Sequence, residues 1–325
     1  MIITKENRLT LRLALLATAL VASLALAVFN ANAQDAKAWK KLKADVNLFV
    51  ANDLGRNGDY QQRPIADLMG NMAEEIGPEC VLAVGDVHHF NGVASVDDPL
   101  WTSNYESIYT HPELMIDWLP VLGNHEYRGN TCAVLDYAQR SRRWVMPARY
   151  YSRVYENDGT TVRVVMIDTT PLIEKYRTDS IGYPDACKQD IDAQLQWLDA
   201  TLKAACEDWV IVLGHHPVFA QTSKSDSERA DMQRVLLPVL RRYGNVAMYV
   251  CGHIHNFQHL RVAGDGIDYV VNSAGALARK VKAVDGTQFC SPEAGFSVIS
   301  ANKQSLALDM IDGRGVAINK VEQRK

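Results

Sequence analysis

The sequence predicts an α/β layered domain running from about residue 40 to the C-terminus at residue 325. Strand-like apolar runs alternate with amphipathic segments, mostly in the order β-α-β. The chain then closes with antiparallel-looking strands, a succession that α/β layers produce. No internal repeat and no Pro/Gly/Ser-rich linker interrupts it. One domain, spanning residues 40–325, is therefore expected.

Each element has its own signal. "VNLFVAND" (Val46 to Asp53) reads as a first strand, and a helix lies within Gln61 to Ile76. "CVLAVGD" (Cys80 to Asp86), "WLPVLGNHE" (Trp118 to Glu126) and "TVRVVMIDTT" (Thr161 to Thr170) are short apolar runs that end in polar residues. Ile191, Leu195, Leu198 and Leu202 recur at helical spacing, and the strand "WVIVLGHH" (Trp209 to His216) follows. The segment Ser227 to Tyr243 is helical in pattern, carries Pro238 in its middle and stops at Gly244. Strand "VAMYVCGHIH" comes next, and then "IDYVVNSAG", "GFSVISA" and "LALDMI" make the tail strand-rich.

The N-terminus is different. Lys5, Arg8 and Arg12 precede the apolar run Leu13 to Phe29, and Ala31-Asn32-Ala33 follows with small residues where a signal peptidase cleaves. Residues 1–33 are thus expected to be a secretory signal peptide, which places the mature protein outside the cell or in the periplasm. No stable membrane insertion is expected after its removal. Cleavage takes away three basic residues and one acid, leaving 31 Lys+Arg against 37 Asp+Glu, a net charge of −6. Such a balance gives no electrostatic reason to bind nucleic acid. The cluster Arg140, Arg142, Arg143 reads as the solvated end of a helix, and no basic stripe accompanies the motif loops. Six cysteines match no zinc spacing, and Cys251, inside an apolar strand, reads as a buried thiol.

Five apolar runs end in residues of metal-ligand type: Asp53 in "NDLG", Asp86 in "GDVHH", Asn124 and His125 in "GNHE", His215 in "GHHP", and His253 with His255 in "GHIH". Ligands of open α/β sheets bind beyond the carboxyl ends of strands. In an extended segment residues two apart point the same way, so His253 and His255 could converge on one object.

With "DLG", "GDVHH", "GNHE", "GHHPV" and "GHIH" in this order, the chain resembles the calcineurin-like metallophosphoesterases. Within them it is similar to the small, tartrate-resistant purple acid phosphatases. "SRRWVMPARYY" and "IDTT" extend the likeness from Phe49 to the C-terminus. The resemblance implies a four-layer α-β-β-α sandwich of two mixed sheets flanked by helices, with two metal ions per chain. Asp53, Asp86 and His255 would bind one ion. Asp86, Asn124, His215 and His253 would bind the other, with Asp86 bridging. Iron with zinc or manganese, or two divalent ions, suit carboxylate and imidazole donors. Two cations about 3.5–4 Å apart can hold a hydroxide and clamp an in-line displacement at phosphorus. His125 would stabilise the transition state or protonate the leaving oxygen. Asn124, His125 and His216 would contact substrate.

Two positions depart from the family. Its metal-binding tyrosine falls at His89. That residue is either an unused surface histidine or a replacement imidazole for the first ion, since Gly55 stands where other metallophosphoesterases place one. The loop "QTSKSDSERAD" (Gln221 to Asp231) lacks the histidine found there in related phosphatases, so proton delivery would rest on His125, helped by Glu126 or His216. The expected function is a secreted phosphatase hydrolysing phosphate monoesters of a small molecule or phosphoprotein. A phosphodiesterase on the same centre and a non-catalytic binding member are the alternatives.

Overall fold

The computed structural model describes residues 35–224 and 226–325. The expected signal peptide, residues 1–33, lies outside the described residues. Two compact units are distinguished, residues 1–42 and 43–325; the described part of the first is a short helical stretch ending in Lys40–Leu42. The second unit contains two mixed sheets with helices beside them.

The first sheet is built around three parallel strands, β1 (Val46–Ala51), β2 (Cys80–Ala83) and β3 (Asp117–Pro120). The second is centred on parallel β5 (Thr160–Met166), β6 (Trp209–Leu213), β7 (Val246–Cys251) and β9 (Asp268–Val271), with antiparallel β4 (Tyr151–Asn157) at one edge. At the other edge, β8 (Phe257–Leu260) and β10 (Thr287–Ser291) run antiparallel. The C-terminal strands β11 (Gly295–Ala301), β12 (Ser305–Asp312) and β13 (Ala317–Arg324) return to the first sheet as an antiparallel meander on β1. The sheet orders are β13-β12-β11-β1-β2-β3 and β10-β8-β9-β7-β6-β5-β4.

Strands β1, β2, β6 and β7 are buried at every position, which is why they read as unbroken apolar runs. Edge strands β4, β10 and β13 alternate irregularly with exposed polar residues and carry no such run. They are absent from the sequence-based expectation for that reason.

Helix α1 (Gln62–Ile76) buries Ile65, Met69, Met72 and Ile76 along one face and ends at Gly77 in the left-handed region, φ 67°. Helix α2 (Ile191–Ala204) is capped by Asp190, whose side chain accepts from Ala193 N. The helix expected over Ser227 to Tyr243 is divided into α3 (Asp226–Val235) and α4 (Leu237–Arg241). Pro238 lies in the first turn of α4, where its missing N–H costs nothing; inside a continuous helix it would clash with the preceding turn.

One surface expectation is corrected. Arg143 is buried: its guanidinium donates to Tyr109 O at 2.6 Å and Glu106 Oε2 at 2.8 Å, and lies 4.2 Å from the Tyr105 ring centre. Arg140 remains exposed and pairs with Asp97 at 3.0 Å. Cys251 is buried as expected, as is Cys80, and burial pushes both thiols up in pKa.

Candidate metal centre

The parallel strands of both sheets deliver their carboxyl ends to one place. Asp53 follows β1, Asp86 follows β2, Asn124 follows β3, His215 follows β6, and His253 and His255 follow β7. Four groups of side chains bring donor atoms within 4.8 Å of one another: Asp53/His89/His255, Asp53/Asp86/His215, Asp86/His89/His125 and His215/His216/His253. Asp53 and Asp86 join the sets. Every metal ligand expected from sequence lies in these groups except Asn124. That residue is itself buried, with an Oδ1 that has no hydrogen-bond partner.

Backbone geometry aims the ligands. Asp53, Asp86, His253 and His255 have φ of 51°, 54°, 70° and 63°. Left-handed φ is uncommon outside glycine and tends to gather at functional sites. A glycine precedes several ligands because there is no room for a side chain. A Cβ on Gly252 would stand 2.6 Å from Asn52 Nδ2 and 2.7 Å from Asp53 Oδ2. One on Gly85 would stand 2.5 Å from His215 Nδ1.

Hydrogen bonds fix which ring nitrogen faces inward. His255 Nδ1 lies 2.7 Å from Leu277 O, and His215 Nδ1 lies 2.9 Å from Val84 O. Carbonyls only accept, so these nitrogens donate and leave each Nε2 as a lone-pair donor. Those Nε2 atoms lie 3.1 Å from Asp53 Oδ1 and Asp86 Oδ2 respectively. His253 is turned the other way. Its Nδ1 lies 3.2 Å from His215 Nε2, while its Nε2 meets Glu228 Oε2 at 3.0 Å.

His89 is not a surface histidine. It is 6% exposed, both ring nitrogens lack hydrogen-bond partners, and it joins Asp53 and His255 as the missing imidazole would. Burial pulls its pKa down to about 3, which keeps it neutral and able to ligate. His253 is likewise held at about 3, by burial and then by Lys224. At Asp53, burial opposes the charge but His255 outweighs it, and the pKa lies well below the ordinary value. At Asp86, burial is outweighed by His215 and His125 in the same direction. His215 is raised to about 9 by Asp86 in spite of burial, holding a proton that a bound cation would replace. Buried imidazoles, ionised carboxylates and the unpartnered Asn124 Oδ1 make a donor set that fits two borderline cations.

His125 is the imidazole of the group that reaches solvent, with its side chain 15% exposed. Its Nδ1 lies 2.6 Å from Phe90 O, and its Nε2 lies 3.8 Å from Asp86 Oδ2. The helpers expected beside it are placed differently. Glu126 is buried and accepts from the backbone N–H groups of Gly123, Asp86 and His88 at 2.8, 2.9 and 3.1 Å. It ties motif loops together, and burial lifts its pKa to about 7. His216, expected at the substrate, is fully buried; its Nδ1 lies 2.9 Å from Thr169 Oγ1, and its unpartnered Nε2 faces the ligand cluster. Its ring centre lies 4.4 Å from that of His253. His88 is in none of the four donor groups and packs edge-on against Trp101, ring centres 4.4 Å apart.

Two residues of the loop without a histidine were missed by sequence reasoning. Glu228, on α3, is buried against His253 and is also bonded by Tyr176 OH at 3.0 Å and paired with Lys175. Lys224 Nζ lies 2.9 Å from His253 Nε2 and donates to His253 O at 2.9 Å. No periodicity marks either; only the departure of "QTSKSDSERAD" from the family pattern pointed to this loop.

Known proteins share the sequence pattern and the fold. Residues 46–257 match the calcineurin-like phosphoesterase family. The chain is 32% identical to purple acid phosphatase 17 of Arabidopsis thaliana, over 73% of its own length and 70% of that protein's. It is also 32% identical to the tartrate-resistant acid phosphatase type 5 of Homo sapiens, over 62% of each chain. Among solved structures its fold is similar to GAP50, the anchor in the inner membrane complex of Plasmodium. The TM-score is 0.74 at 18% identity, covering 87% of this chain and 89% of that one. The chain therefore belongs to the calcineurin-like phosphoesterase family, as a metal-dependent phosphoric ester hydrolase related to the purple acid phosphatases.

Proposed function

We propose that the protein is an exported phosphomonoesterase acting on a phosphorylated small molecule or phosphoprotein. The observation that carries this reading is the placement of His125, whose imidazole is 15% exposed while the other histidines of the donor groups are buried, beside the joined carboxylate–histidine clusters. Asp53, His89 and His255 would hold one cation and Asn124, His215 and His253 the other, with Asp86 available to both. Bound there, the metal pair supplies Lewis acidity and an activated water for attack at phosphorus. His125, with Nδ1 committed to Phe90 O, presents Nε2 to the substrate and delivers a proton to the departing oxygen. Asn124 orients the phosphoryl group. The two carboxylates leave excess positive charge at the centre, which favours a monoester dianion over a diester monoanion. Export follows from the layout of residues 1–33, and no helix among the described residues is long and apolar enough to cross a membrane.

The test compares an aryl phosphate monoester with the matching diester on one metal-loaded preparation. The monoester should be favoured in kcat/KM by at least about tenfold, roughly 1.4 kcal/mol in barrier. A faster diester would replace this reading with a phosphodiesterase. A protein that binds metal but turns over neither would be a binding member.

A further inference from the structure

The chain is acidic overall, yet cations gather at the mouth of the centre. Arg56 lies three residues beyond Asp53, its guanidinium 4.8 Å from the ring centre of Phe90, which is 65% exposed. Arg128 Nη1 lies 3.4 Å from both Phe90 O and His125 Nδ1, and its Nη2 donates to Tyr183 OH at 3.1 Å. On the other side, the loop Leu277 to Gly286 carries exposed Arg279, Lys280 and Lys282. That loop is fastened directly to a ligand: Arg279 N donates to His255 O at 2.6 Å, and Leu277 O accepts from His255.

Arg279 bridges the two sides electrostatically. After burial, its charge is among the influences that lower the pKa of Arg56, and the same holds for Lys224. None of Arg56, Arg128, Arg279, Lys280 or Lys282 has a carboxylate partner among the described residues. Elsewhere arginines are paired, as Arg153 is with Asp117, Arg163 with Glu207 and Arg261 with Asp268. No stripe marks these residues in the sequence, where 56, 128 and 279–282 are scattered; in the fold the charge of Arg279 reaches Arg56.

A scissile phosphate alone is already served by two cations and His125. Unpaired guanidinium and ammonium groups around it are suited to anionic oxygens farther along the substrate. We infer that the substrate is a phosphomonoester carrying a second anionic group, a phosphate or carboxylate, which the exposed rim of Arg279, Lys280 and Lys282 binds, with buried Arg56 behind it, while the metal centre takes the scissile phosphate. Phe90, 65% exposed and with its ring centre 6.1 Å from that of His125, offers an apolar face to the link between the two groups. This inference rests on the phosphatase reading above and names its substrate class.

The test uses two non-hydrolysable probes, phenylphosphonate and 4-carboxyphenylphosphonate, as competitive inhibitors of aryl phosphate hydrolysis on the metal-loaded protein. The carboxylated probe should bind at least about tenfold more tightly at low salt, a ratio that shrinks as salt rises. In the triple variant Arg279→Gln/Lys280→Gln/Lys282→Gln the ratio should fall toward one. Because it is internal to each protein, loss of metal or fold weakens both probes together and leaves it unchanged. Equal inhibition by the two probes, or a ratio that survives the triple substitution, would overturn the rim's role. If aryl phosphate is not hydrolysed and phenylphosphonate does not bind, the phosphatase reading itself fails and the rim inference falls with it. A third non-hydrolysable probe, 1,4-phenylenediphosphonate, should likewise bind more tightly than phenylphosphonate, and equal binding would overturn the phosphate form of the inference.

Discussion

His253 Nε2 and Glu228 Oε2 lie 3.0 Å apart, on the side of the ring away from His215, so that the carboxylate holds the outer nitrogen and frees Nδ1 for a cation. Carboxylates in this relation orient a ligand and raise its basicity, and their loss typically costs about 10–100-fold in metal affinity. Glu228→Gln should therefore weaken the second metal site by that factor and leave the first unchanged. Calorimetric titration of metal-free protein with zinc resolves the two steps; two unaltered affinities would dismiss the role.

Asp86 belongs to two of the four donor groups, and those two share His89, Asp53 or His215 with the others. Asp86→Asn should reduce bound metal to at most one ion per chain and abolish nearly all hydrolysis, measured by elemental analysis and aryl phosphate turnover. Neighbouring His88 provides the contrast. Its ring is buried against Trp101, so His88→Ala should keep both metals while costing about 2–4 kcal/mol of stability, as large-to-small core changes do. An Asp86→Asn protein with ordinary turnover would eliminate the two-metal reading.

At His89 a neutral imidazole stands where the purple enzymes use a phenolate. The metal-loaded, oxidised protein should show no strong visible charge-transfer band, and His89→Ala should weaken the first site. Neither nearby tyrosine can substitute. Tyr127 OH is bonded to Asp168 and Arg149 in the interior, and Tyr60 is 63% exposed whereas Asp53, Asp86 and His255 are buried. A violet protein would refute this assignment.

Asp168 gives a pH prediction away from the metal ligands. Burial lifts its pKa to about 7, against the pull of Tyr127 and Arg149. The folded value exceeds the ordinary 3.8, so the native state binds more protons than the unfolded chain between those limits. Stability from this group rises as pH falls from about 7 toward 4, by up to about 1.4 kcal/mol per unit. Between pH 8 and pH 6 the thermal midpoint of the metal-free protein should therefore gain on that of Asp168→Asn, and a constant difference between the two would dismiss the role.

The central strands and the ligands at their ends were legible because physics writes both into short windows. A strand buried on two faces must be apolar throughout, and the polar residue that ends it is conspicuous. Asp53, Asp86, His215, His253 and His255 were found this way. Strands β4, β10 and β13 were not, since an edge exposed to water has no reason to be apolar. Arg143 misled for a related reason: a charge can be buried when Glu106 and a carbonyl receive it, and its partners lie more than 25 residues away. Glu228 and the rim arginines share this property. Their meaning depends on which loops meet, and only the folded chain brings residue 56 to residue 279.

The left-handed backbone at Asp53, Asp86, His253 and His255 bears on how such a centre can change over evolutionary time. Aspartate, asparagine and histidine tolerate that conformation better than other side chains, whereas glutamate, cysteine and above all β-branched residues do not. At these four positions the peptide geometry screens replacements before any cation does. His89, Asn124 and His215 are free of that constraint. Drift in metal preference within this scaffold should therefore be concentrated at those three positions, and the exchange of a phenolate for an imidazole at residue 89 is a change of that kind.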